Sequence, residues 1–320
     1  MKNVCFVGID TSNYTTSAAL CDGEGNIIAN LKSPLSVKQG ERGLRQSDAV
    51  FAHIKNLPAL MRALFEKIGD RKVAAIGVSA YPRDAKDSYM PCFLSGVAAA
   101  NSFSAGAGGI PVFEFSHQSG HIMAALYSSG ALGKIDSDFA AFHVSGGTTE
   151  IILAKNDGDS FSVELIGGTE DLNAGQAIDR AGVMMGLKFP CGREMESLAL
   201  ENKGKIPCAK ISVKGLGCNL SGLENLASKI YSESSDKAFT SAVVFDFVGK
   251  TLVKLSENLT ETFGEIPIVY AGGVMSNSII KNMLSKRKNT FFATPEFSAD
   301  NAAGTALLCR RKYLSQNETE

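Results

Sequence analysis

The sequence predicts an α/β protein with two lobes, and the order of its predicted elements carries that prediction. Residues 4–31 read as three short strands joined by polar or glycine-containing turns, and residues 139–166 repeat that order with almost no residue identity. Apolar residues at helical spacing follow each set of strands. Strands followed by helices, twice along one chain of 320 residues, favour two α/β lobes with a cleft between them.

The first predicted lobe opens with strands and then alternates helices with strands. Its strands are expected at Val4–Ile9, Thr15–Leu20, Asn26–Leu31, Val73–Val78 and Pro111–Phe115. Asp10–Asn13 is polar and reads as the first turn. Helices are expected at Asp48–Ile68 with Pro58 as a kink, at Phe93–Phe103, and after Ser116, which can cap the next helix.

The second predicted lobe repeats this plan. Its strands are expected at Phe139–Val144, Thr149–Ala154, Phe161–Ile166, Ile266–Tyr270 and Thr290–Ala293. Its helices are expected at Ala174–Leu187, Glu194–Glu201, Gly222–Ser232, Lys237–Phe263 and from Ser276. A final helix is expected from Ala299 to about Leu314.

Composition gives no global sign of a protein that binds nucleic acid or membranes. The formal net charge is −1, and no apolar run reaches a membrane-spanning length. The N-terminal apolar stretch is broken too early by Asp10 to act as a signal peptide. The seven cysteines are scattered without a Cys-x-x-Cys pair, which favours reduced thiols, and Cys5 and Cys309 are expected in the core. We therefore expect a cytoplasmic protein without membrane contact.

Two of the four histidines, His117 and His121, lie four residues apart at the start of a predicted helix. Side chains at this spacing share one helix face, so the two imidazoles can bind one metal ion. A structural zinc site needs four protein ligands, whereas two imidazoles and one carboxylate leave positions open for a substrate. The alternative is two surface histidines at a chance spacing.

Two glycine-containing turns are candidate nucleotide-binding loops. Val144-Ser-Gly-Gly-Thr148 combines adjacent glycines with hydroxyl donors, which suits an approaching anion, although ordinary hairpin turns have the same composition. The turn that ends at Asn277 lies between a strand and a helix, where a ribose or base often binds, but many strand–helix turns bind nothing.

Two aspartates are further candidates, each with a simpler alternative. Asp179 on a predicted helix can accept hydrogen bonds from ribose hydroxyls or simply pair with Arg180. Asp300, taken alone, reads as a helix cap.

The order of these motifs resembles one family. The set is Asp10-Thr-Ser, His117-x3-His, Val144-Ser-Gly-Gly, Ala174-Gly-x-Ala-x-Asp, Phe189-Pro-x-Gly, Ser221-Gly-Leu, Gly272-Gly-Val-x-x-Asn and Asp300-Asn-Ala. Over nearly the whole chain, it resembles the tRNA threonylcarbamoyladenosine transferase family, whose members were once labelled sialoglycoprotein endopeptidases. The resemblance implies the duplicated fold of actin, sugar kinases and chaperone ATPases, with two lobes around a nucleotide cleft. It assigns residues 1–130, completed by 300–320, to the N-terminal actin-like lobe and 131–299 to the C-terminal one.

The resemblance also implies the site residues. His117, His121 and Asp300 match the family's ligands for one divalent metal ion per subunit, usually given as iron or zinc. The matching nucleotide or acyl-adenylate positions are Val144, Ser145, Gly146, Gly147, Thr148, Asp179, Gly192 and Asn277. No catalytic residue beyond the metal site is implied.

The implied reaction moves a threonylcarbamoyl group from its adenylate to N6 of the adenosine that follows the anticodon in tRNA. The implied partners are tRNA, a smaller paralogous actin-like subunit and an ATPase subunit, with no membrane.

Three departures from the family pattern keep two other readings open. Tyr14 and Thr15 stand where the family has acidic residues, Tyr81–Asp84 replaces its Gly-Pro-Gly-Leu phosphate loop, and Thr148 replaces a common histidine. One alternative is therefore a paralogue that transfers a carbamoyl-type group to another acceptor. The other is a non-catalytic nucleotide-binding partner of a tRNA-modifying complex, although such a scaffold needs no open metal site.

Overall fold

A computed structural model describes residues 3–36, 44–298 and 300–317 of the chain. The chain divides into two compact units. Unit 1 comprises Met1–Ser128, Lys155–Val163 and Glu296–Glu320, and unit 2 comprises Ser129–Ala154 and Glu164–Pro295.

The described residues form two β-sheets and the helices that cover them. The strands are β1 Val4–Ser12, β2 Thr15–Asp22, β3 Ile27–Pro34, β4 Lys72–Tyr81, β5 Val112–Ser116, β6 Phe139–Val144, β7 Thr149–Asn156, β8 Phe161–Thr169, β9 Ser212–Lys214, β10 Gly217–Asn219, β11 Ile268–Ala271 and β12 Thr290–Phe292. The helices are α1 Gln46–Phe65, α2 Phe93–Gly106, α3 His117–Ser128, α4 Ala174–Met184, α5 Gly192–Glu201, α6 Gly222–Ser234, α7 Lys237–Phe263, α8 Ser278–Leu284, α9 Pro295–Ser298 and α10 Ala303–Asn317. A 3₁₀ turn spans Gly273–Ser276.

The two sheets share one strand order, which confirms the predicted duplication. The first sheet runs β3-β2-β1-β4-β5, and the second contains β8-β7-β6-β11-β12 in the same arrangement, extended by β10 and β9. In both, the opening strands pair antiparallel, β1 with β2 and β6 with β7, whereas the later strands β4 and β11 pair parallel to the first strand.

Close packing of α10 against the first sheet determines where Asp300 lies. A Cβ atom on Gly8 would lie 2.4 Å from the carbonyl oxygen of Ala302, and one on Gly77 would lie 2.6 Å from that of Thr305. Only glycine at these two strand positions lets the helix backbone approach so closely. This packing also holds Asp300, which precedes α10 in the chain, within unit 1.

The described structure corrects the predicted first turn. Strand β1 continues past the apolar residues to Ser12, which pairs with Thr15 of β2, so Asp10 lies within the strand and pairs with Ser17. Asp10 was expected in a polar turn, but its side chain is only 1% exposed. The backbone hydrogen bonds of the hairpin extend the strand through polar residues that the hydrophobic pattern alone excludes.

The predicted last helix also begins later than expected. Helix α10 starts at Ala303, and the Asn301 side chain accepts a hydrogen bond from the Ala303 N–H at 3.0 Å. Asp300 is therefore not the cap of this helix, and its carboxylate is available for other partners. Ala299, the predicted first residue, lies outside the described residues. The pattern also missed the short strands β9 and β10 and the one-turn helix α9.

The cysteines and helices agree with the compositional expectations. All seven cysteines are free thiols, and Cys5 and Cys309 are fully buried, as predicted. Within the part of the chain that the structure describes, no helix combines the length and apolar character needed to cross a membrane.

Candidate functional site

Helix α3 presents His117 and His121 on one face, as their spacing predicts. The helix begins at His117, directly after β5, and the Ser116 side chain accepts a hydrogen bond from the Ser119 N–H at 3.0 Å. Ser116 is therefore the predicted cap, and it fixes the first turn of the helix that carries both imidazoles.

The structure brings Asp300 to these two histidines. Nε2 of His117 lies 2.9 Å from Nε2 of His121. Oδ1 of Asp300 lies 3.4 Å from the His121 nitrogen and 3.7 Å from the His117 nitrogen. An ion with bonds of about 2.1 Å separates neighbouring ligand atoms by roughly 3.0–3.4 Å. The three donors therefore suit one divalent cation.

The donor set leaves room for a substrate. The side chains of His117, His121 and Asp300 are 20%, 21% and 27% exposed. Two imidazoles and one carboxylate occupy three coordination positions, whereas a structural zinc site uses four protein ligands. The cluster is thus both accessible and incomplete, as a catalytic metal site requires.

Asp10 orients His117 from the side opposite the cluster. Its Oδ2 atom lies 2.7 Å from Nδ1 of His117. Its Oδ1 atom accepts a hydrogen bond from the Ser12 N–H at 2.9 Å, and the Ser79 side chain is another partner of the carboxylate. A carboxylate on Nδ1 fixes the tautomer that leaves Nε2 unprotonated and directed at a metal. Sequence reasoning quoted Asp10 within a motif but gave it no role.

The charges of the cluster favour a bound cation. Burial alone would raise the pKa of the Asp10 carboxyl, but the charge and hydrogen bond of His117, with bonds from Ser79 and Ser12, hold that pKa well below its ordinary value. Burial likewise opposes ionisation of Asp300, yet the hydrogen bond and charge of His121 lower its pKa. Both carboxylates are therefore anionic at neutral pH.

The imidazole of His117 responds to the same charges. Burial disfavours its protonated form, but the charge and hydrogen bond of Asp10 and the charge of Asp300 outweigh burial and raise the pKa of His117. The site therefore stabilises positive charge at the position of this side chain, which a metal ion can supply in place of a proton.

Lys32 is a neighbour of the cluster that sequence reasoning missed. Its ammonium group donates to the carbonyl oxygen of Glu296 at 2.6 Å. Burial lowers the pKa of Lys32, and the charges of Glu296 and Asp300 oppose that effect. A lysine within a strand carries no sequence signal, because it becomes a neighbour of Asp300 only through the fold.

In unit 2, the side chain of Ser145 stabilises the turn between β6 and β7. The Ser145 side chain accepts hydrogen bonds from the N–H groups of Gly147 and Thr148 at 3.2 and 3.1 Å. Val144 is buried in the core. These two bonds use the Ser145 oxygen as an acceptor and leave its hydroxyl hydrogen as a donor, so the expected donation to a phosphate stays a prediction.

The glycines of this loop nevertheless leave space beside it. A Cβ atom on Gly146 or Gly147 would meet nothing within 4 Å. By contrast, a Cβ atom on Gly175 would lie 2.7 Å from the Gly146 backbone, so α4 packs directly on the loop. The loop is therefore held by α4 while its outer face stays open.

Four of the predicted nucleotide positions line a cavity of about 370 Å³ in unit 2. They are Gly146, Asp179, Gly192 and Asn277. The remaining predicted positions, Val144, Ser145, Gly147 and Thr148, are not among its lining residues. Arg193 and Glu196 also line the cavity and were not predicted. The volume is in the range of small-molecule sites.

Asp179 and Asn277 each have a structural role within the cavity wall. One Asp179 oxygen accepts a hydrogen bond from the Cys191 N–H at 2.8 Å. The Asn277 oxygen accepts from the N–H groups of Ile279 and Ile280 at 3.1 and 3.0 Å, so Asn277 caps α8. The second carboxylate oxygen of Asp179 and the amide N–H₂ of Asn277 are not used in these bonds and are available to a ligand.

The positions that depart from the family pattern lie at three places, one of which is Thr148 in the turn between β6 and β7. Tyr14 is 46% exposed in the turn between β1 and β2, and Thr15 is the first residue of β2. Asp84 accepts hydrogen bonds from the Ser116 and Ser119 side chains at 2.5 and 2.9 Å, so the Tyr81–Asp84 segment contacts the start of α3.

Comparison with known proteins gives a family match over most of the chain. The model of the family described as TsaD, tRNA N6-adenosine threonylcarbamoyltransferase, matches residues 26–307. A protein of that name from Christiangramia forsetii is 29% identical over 99% of this chain and 95% of its own length. Relatives of the same name from Streptococcus suis and Carboxydothermus hydrogenoformans are 27% and 28% identical over 99% and 97% of this chain.

Solved structures show the same fold at lower sequence identity. Full-length HypF in its phosphate- and nucleotide-bound form superposes with a TM-score of 0.58 at 13% identity, over 99% of this chain and 56% of HypF. Component A of the Acidaminococcus fermentans (R)-2-hydroxyglutaryl-CoA dehydratase gives 0.54 at 15% identity, over 98% and 100% of the two chains. A ROK family glucokinase from Streptomyces griseus gives 0.52 at 13% identity, over 96% and 99%. The predicted actin and sugar-kinase fold is thus confirmed.

Proposed function

The chain belongs to the tRNA N6-adenosine threonylcarbamoyltransferase family, and we propose that His117, His121 and Asp300 form its metal-dependent catalytic centre. As a member of this family, the chain is an enzyme that transfers a threonylcarbamoyl group to N6 of an adenosine in tRNA. The acceptor is the adenosine next to the anticodon, and the donor is threonylcarbamoyl-adenylate. Chemically, the N6 amine replaces AMP at the carbamoyl carbon.

The convergence of three donor atoms carries this proposal. One ligand atom from each of His117, His121 and Asp300 lies within 4.8 Å of the other two. Bound there, a divalent ion supplies Lewis-acid polarisation of a carbonyl oxygen. Iron and zinc both accept two imidazoles and a carboxylate, so either metal suits this donor set. Asp10 holds the imidazole of His117 by its Nδ1 atom, which leaves Nε2 as the atom that would bind an ion.

The cavity of unit 2 is the proposed site for the adenine nucleotide part of the donor. The unused oxygen of Asp179 is suited to accept ribose hydroxyl protons, as carboxylates do in other nucleotide sites. The amide group of Asn277 offers N–H donors to a base or ribose. Gly192 and Gly146 line the same cavity without side chains, which leaves room for a ligand.

We assign the neighbouring loop, Val144–Thr148, to the phosphate side of the donor. Gly146 and Gly147 would let a phosphate approach the backbone, and Thr148 adds a hydroxyl group. Ser145 acts here by shaping the turn, because its oxygen accepts two backbone hydrogen bonds within the loop.

The proposed partners follow from the family and the substrate. We expect a smaller paralogous actin-like subunit, an ATPase subunit and tRNA to act with this chain in the cytoplasm. Reconstitution then tests the function directly: ATP, bicarbonate, threonine and unmodified tRNA are incubated with the chain, an adenylate-forming enzyme and the helper proteins. Modified adenosine is measured by mass spectrometry of the digested tRNA.

Two variants connect the activity with the site. We expect wild-type protein to modify the tRNA, and His117→Ala and Asp300→Ala to lose most of that activity. His143→Gln in β6 is the control for removing a histidine elsewhere and should retain activity. Wild-type protein that binds metal and nucleotide but leaves tRNA unmodified would contradict the proposed acceptor and favour another substrate of carbamoyl-type transfer.

A further inference from the structure

The segment that follows β4 lies against the start of the metal-site helix. Tyr81, the last residue of β4, pairs with Ser116, the last residue of β5. Since α3 begins at the next residue, His117, the backbone after Tyr81 is brought beside the first helical turn. Residues 82–84 are thus placed to bond the groups that a helix start leaves without partners.

Three hydrogen bonds connect this segment with the residues on both sides of His117. The Gln118 N–H donates to the Pro82 carbonyl oxygen at 3.1 Å. Oδ2 of Asp84 accepts from the hydroxyl groups of Ser116 and Ser119 at 2.5 and 2.9 Å. Between them, the Ser116 side chain contacts that of Ser119 at 3.0 Å.

The Asp84 carboxylate is the centre of this network. The Tyr81 hydroxyl is a third hydrogen-bond partner of the same carboxylate. Asp84 thus ties the end of β4, the end of β5 and the first turn of α3 together. A negative charge at a helix N-terminus is also stabilised by the N–H groups exposed there.

His117 and His121 project from the helix whose first turn is held in this way. Their Nε2 atoms are 2.9 Å apart, and a metal site tolerates displacements of only about 0.5 Å before its ligands lose productive geometry. The imidazole of His117 is held at Nδ1 by Asp10, but that contact does not fix the helix backbone. The backbone of α3 is held by other contacts: α10 packs on its middle at Gly120, and Pro82 and Asp84 bond its first turn.

We propose that Asp84 is a positioning residue for the metal centre: by holding Ser116 and Ser119, it keeps the first turn of α3 where His117 and His121 bind one ion. The proposal rests on the metal site proposed above. It assigns the Tyr81–Asp84 segment a task within this chain, namely support of the metal-ligand helix.

Metal affinity tests this proposal without reference to turnover. Co²⁺ is titrated into metal-free protein, and binding is followed by its visible absorption, which also reports ligand geometry. The variants are Asp84→Ala, which removes both carboxylate oxygen atoms, and Asp84→Asn, which keeps one oxygen atom as an acceptor. Asp87→Asn is the matched control, because Asp87 lies in the same loop and has a left-handed backbone (φ 61°) that asparagine accepts.

We expect Asp84→Ala to weaken Co²⁺ binding about tenfold or more, as loss of outer-shell support does at other metal sites. Asp84→Asn should weaken binding less, and Asp87→Asn should bind as the wild type does. In the reconstituted reaction, the loss should lie in kcat, with the KM for tRNA unchanged. A role limited to fold stability would lower the unfolding midpoint but leave the Co²⁺ affinity of the folded protein unchanged.

Wild-type Co²⁺ affinity in folded Asp84→Ala would overturn the inference. If Asp84→Ala does not fold, Asp84→Asn decides: weaker Co²⁺ binding supports the inference, and wild-type binding overturns it. Failure of the wild-type protein itself to bind Co²⁺ is a different result, because it would contradict the proposed metal site rather than the task of Asp84.

Discussion

Oδ2 of Asp10 lies 2.7 Å from Nδ1 of His117, across 107 positions of the sequence. Asp10 is buried within β1, whereas His117 opens α3. The contact joins the first strand of the chain to the helix that carries two metal-ligand candidates. It also determines which nitrogen of His117 faces the cluster, since Nδ1 is already bound.

Replacement of Asp10 by asparagine is expected to weaken metal binding roughly 10–100-fold. The amide has no negative charge, and its N–H₂ group would favour the tautomer of His117 that carries the proton on Nε2. Titration of Co²⁺ into metal-free protein measures the effect. Asp48→Asn, an exposed residue of α1, is the control. Equal affinities of Asp10→Asn and wild type would mean that this contact does not orient His117.

Replacement of Asp179 by asparagine is expected to weaken binding of AMP to the cavity of unit 2. The variant retains an acceptor for the Cys191 N–H but loses the charge that we assign to ribose hydroxyls. A hydrogen bond to a charged group contributes about 1.5–3 kcal/mol, which corresponds to roughly a 10–150-fold change in affinity. Isothermal titration calorimetry measures the change, with Glu233→Gln on the exposed side of α6 as the control. Wild-type affinity in Asp179→Asn would place the nucleotide elsewhere.

Asn277 allows its two proposed tasks to be separated. Asn277→Asp keeps the oxygen that caps α8 but removes the amide donor, so AMP affinity should fall while stability is retained. Asn277→Ala removes both groups and should also lower the free energy of unfolding by about 1 kcal/mol. Urea unfolding and AMP titration of both variants check this. Unchanged AMP affinity in Asn277→Asp would mean that Asn277 is a helix cap only.

His53 should make the stability of the chain depend on pH. Burial lowers the pKa of its imidazole, although the charge of Asp10 and a bond to the Ser12 backbone oppose this effect. The unfolded chain then binds a proton more readily than the folded chain. The neutral imidazole of His53 therefore contributes to stability above the unfolded pKa of about 6.5. This contribution is lost as the pH falls through the lower folded pKa.

A comparison of wild type with His53→Gln isolates this effect. Urea unfolding is measured with a chelator present at about pH 7.5 and about pH 5.5, on either side of the ordinary histidine pKa. Wild type should lose more free energy of unfolding between these values than the variant. The other histidines are common to both proteins, so they cancel in the difference. An equal loss in the two proteins would contradict the prediction.

The hydrophobic pattern predicted the elements well but not the polar contacts between them. The strand meanders and α7 followed directly from periodicity, and the repeated strand order confirmed the predicted duplication. Asp10 was misplaced because the β1–β2 hairpin continues through polar residues. The start of α10 was misplaced because Asn301, rather than Asp300, caps the helix.

The candidate site could be predicted from sequence only in part. The spacing of His117 and His121 indicated a shared helix face, but nothing local connects them to Asp300. That proximity depends on the close approach of α10 to Gly8 and Gly77. The hydrogen bonds that Asp84 accepts from Ser116 and Ser119 span 32 and 35 positions and have no periodic signal. Such contacts follow from the tertiary structure alone.

Metal removal and return test the central claim most directly. Protein treated with a chelator and then dialysed is assayed for tRNA modification before and after addition of one equivalent of Fe²⁺ or Zn²⁺. We expect the metal-free wild type to lose activity and to regain it with one of these ions, and His117→Ala to stay inactive with either. Full modification of tRNA by the metal-free protein would contradict a metal-dependent centre at His117, His121 and Asp300.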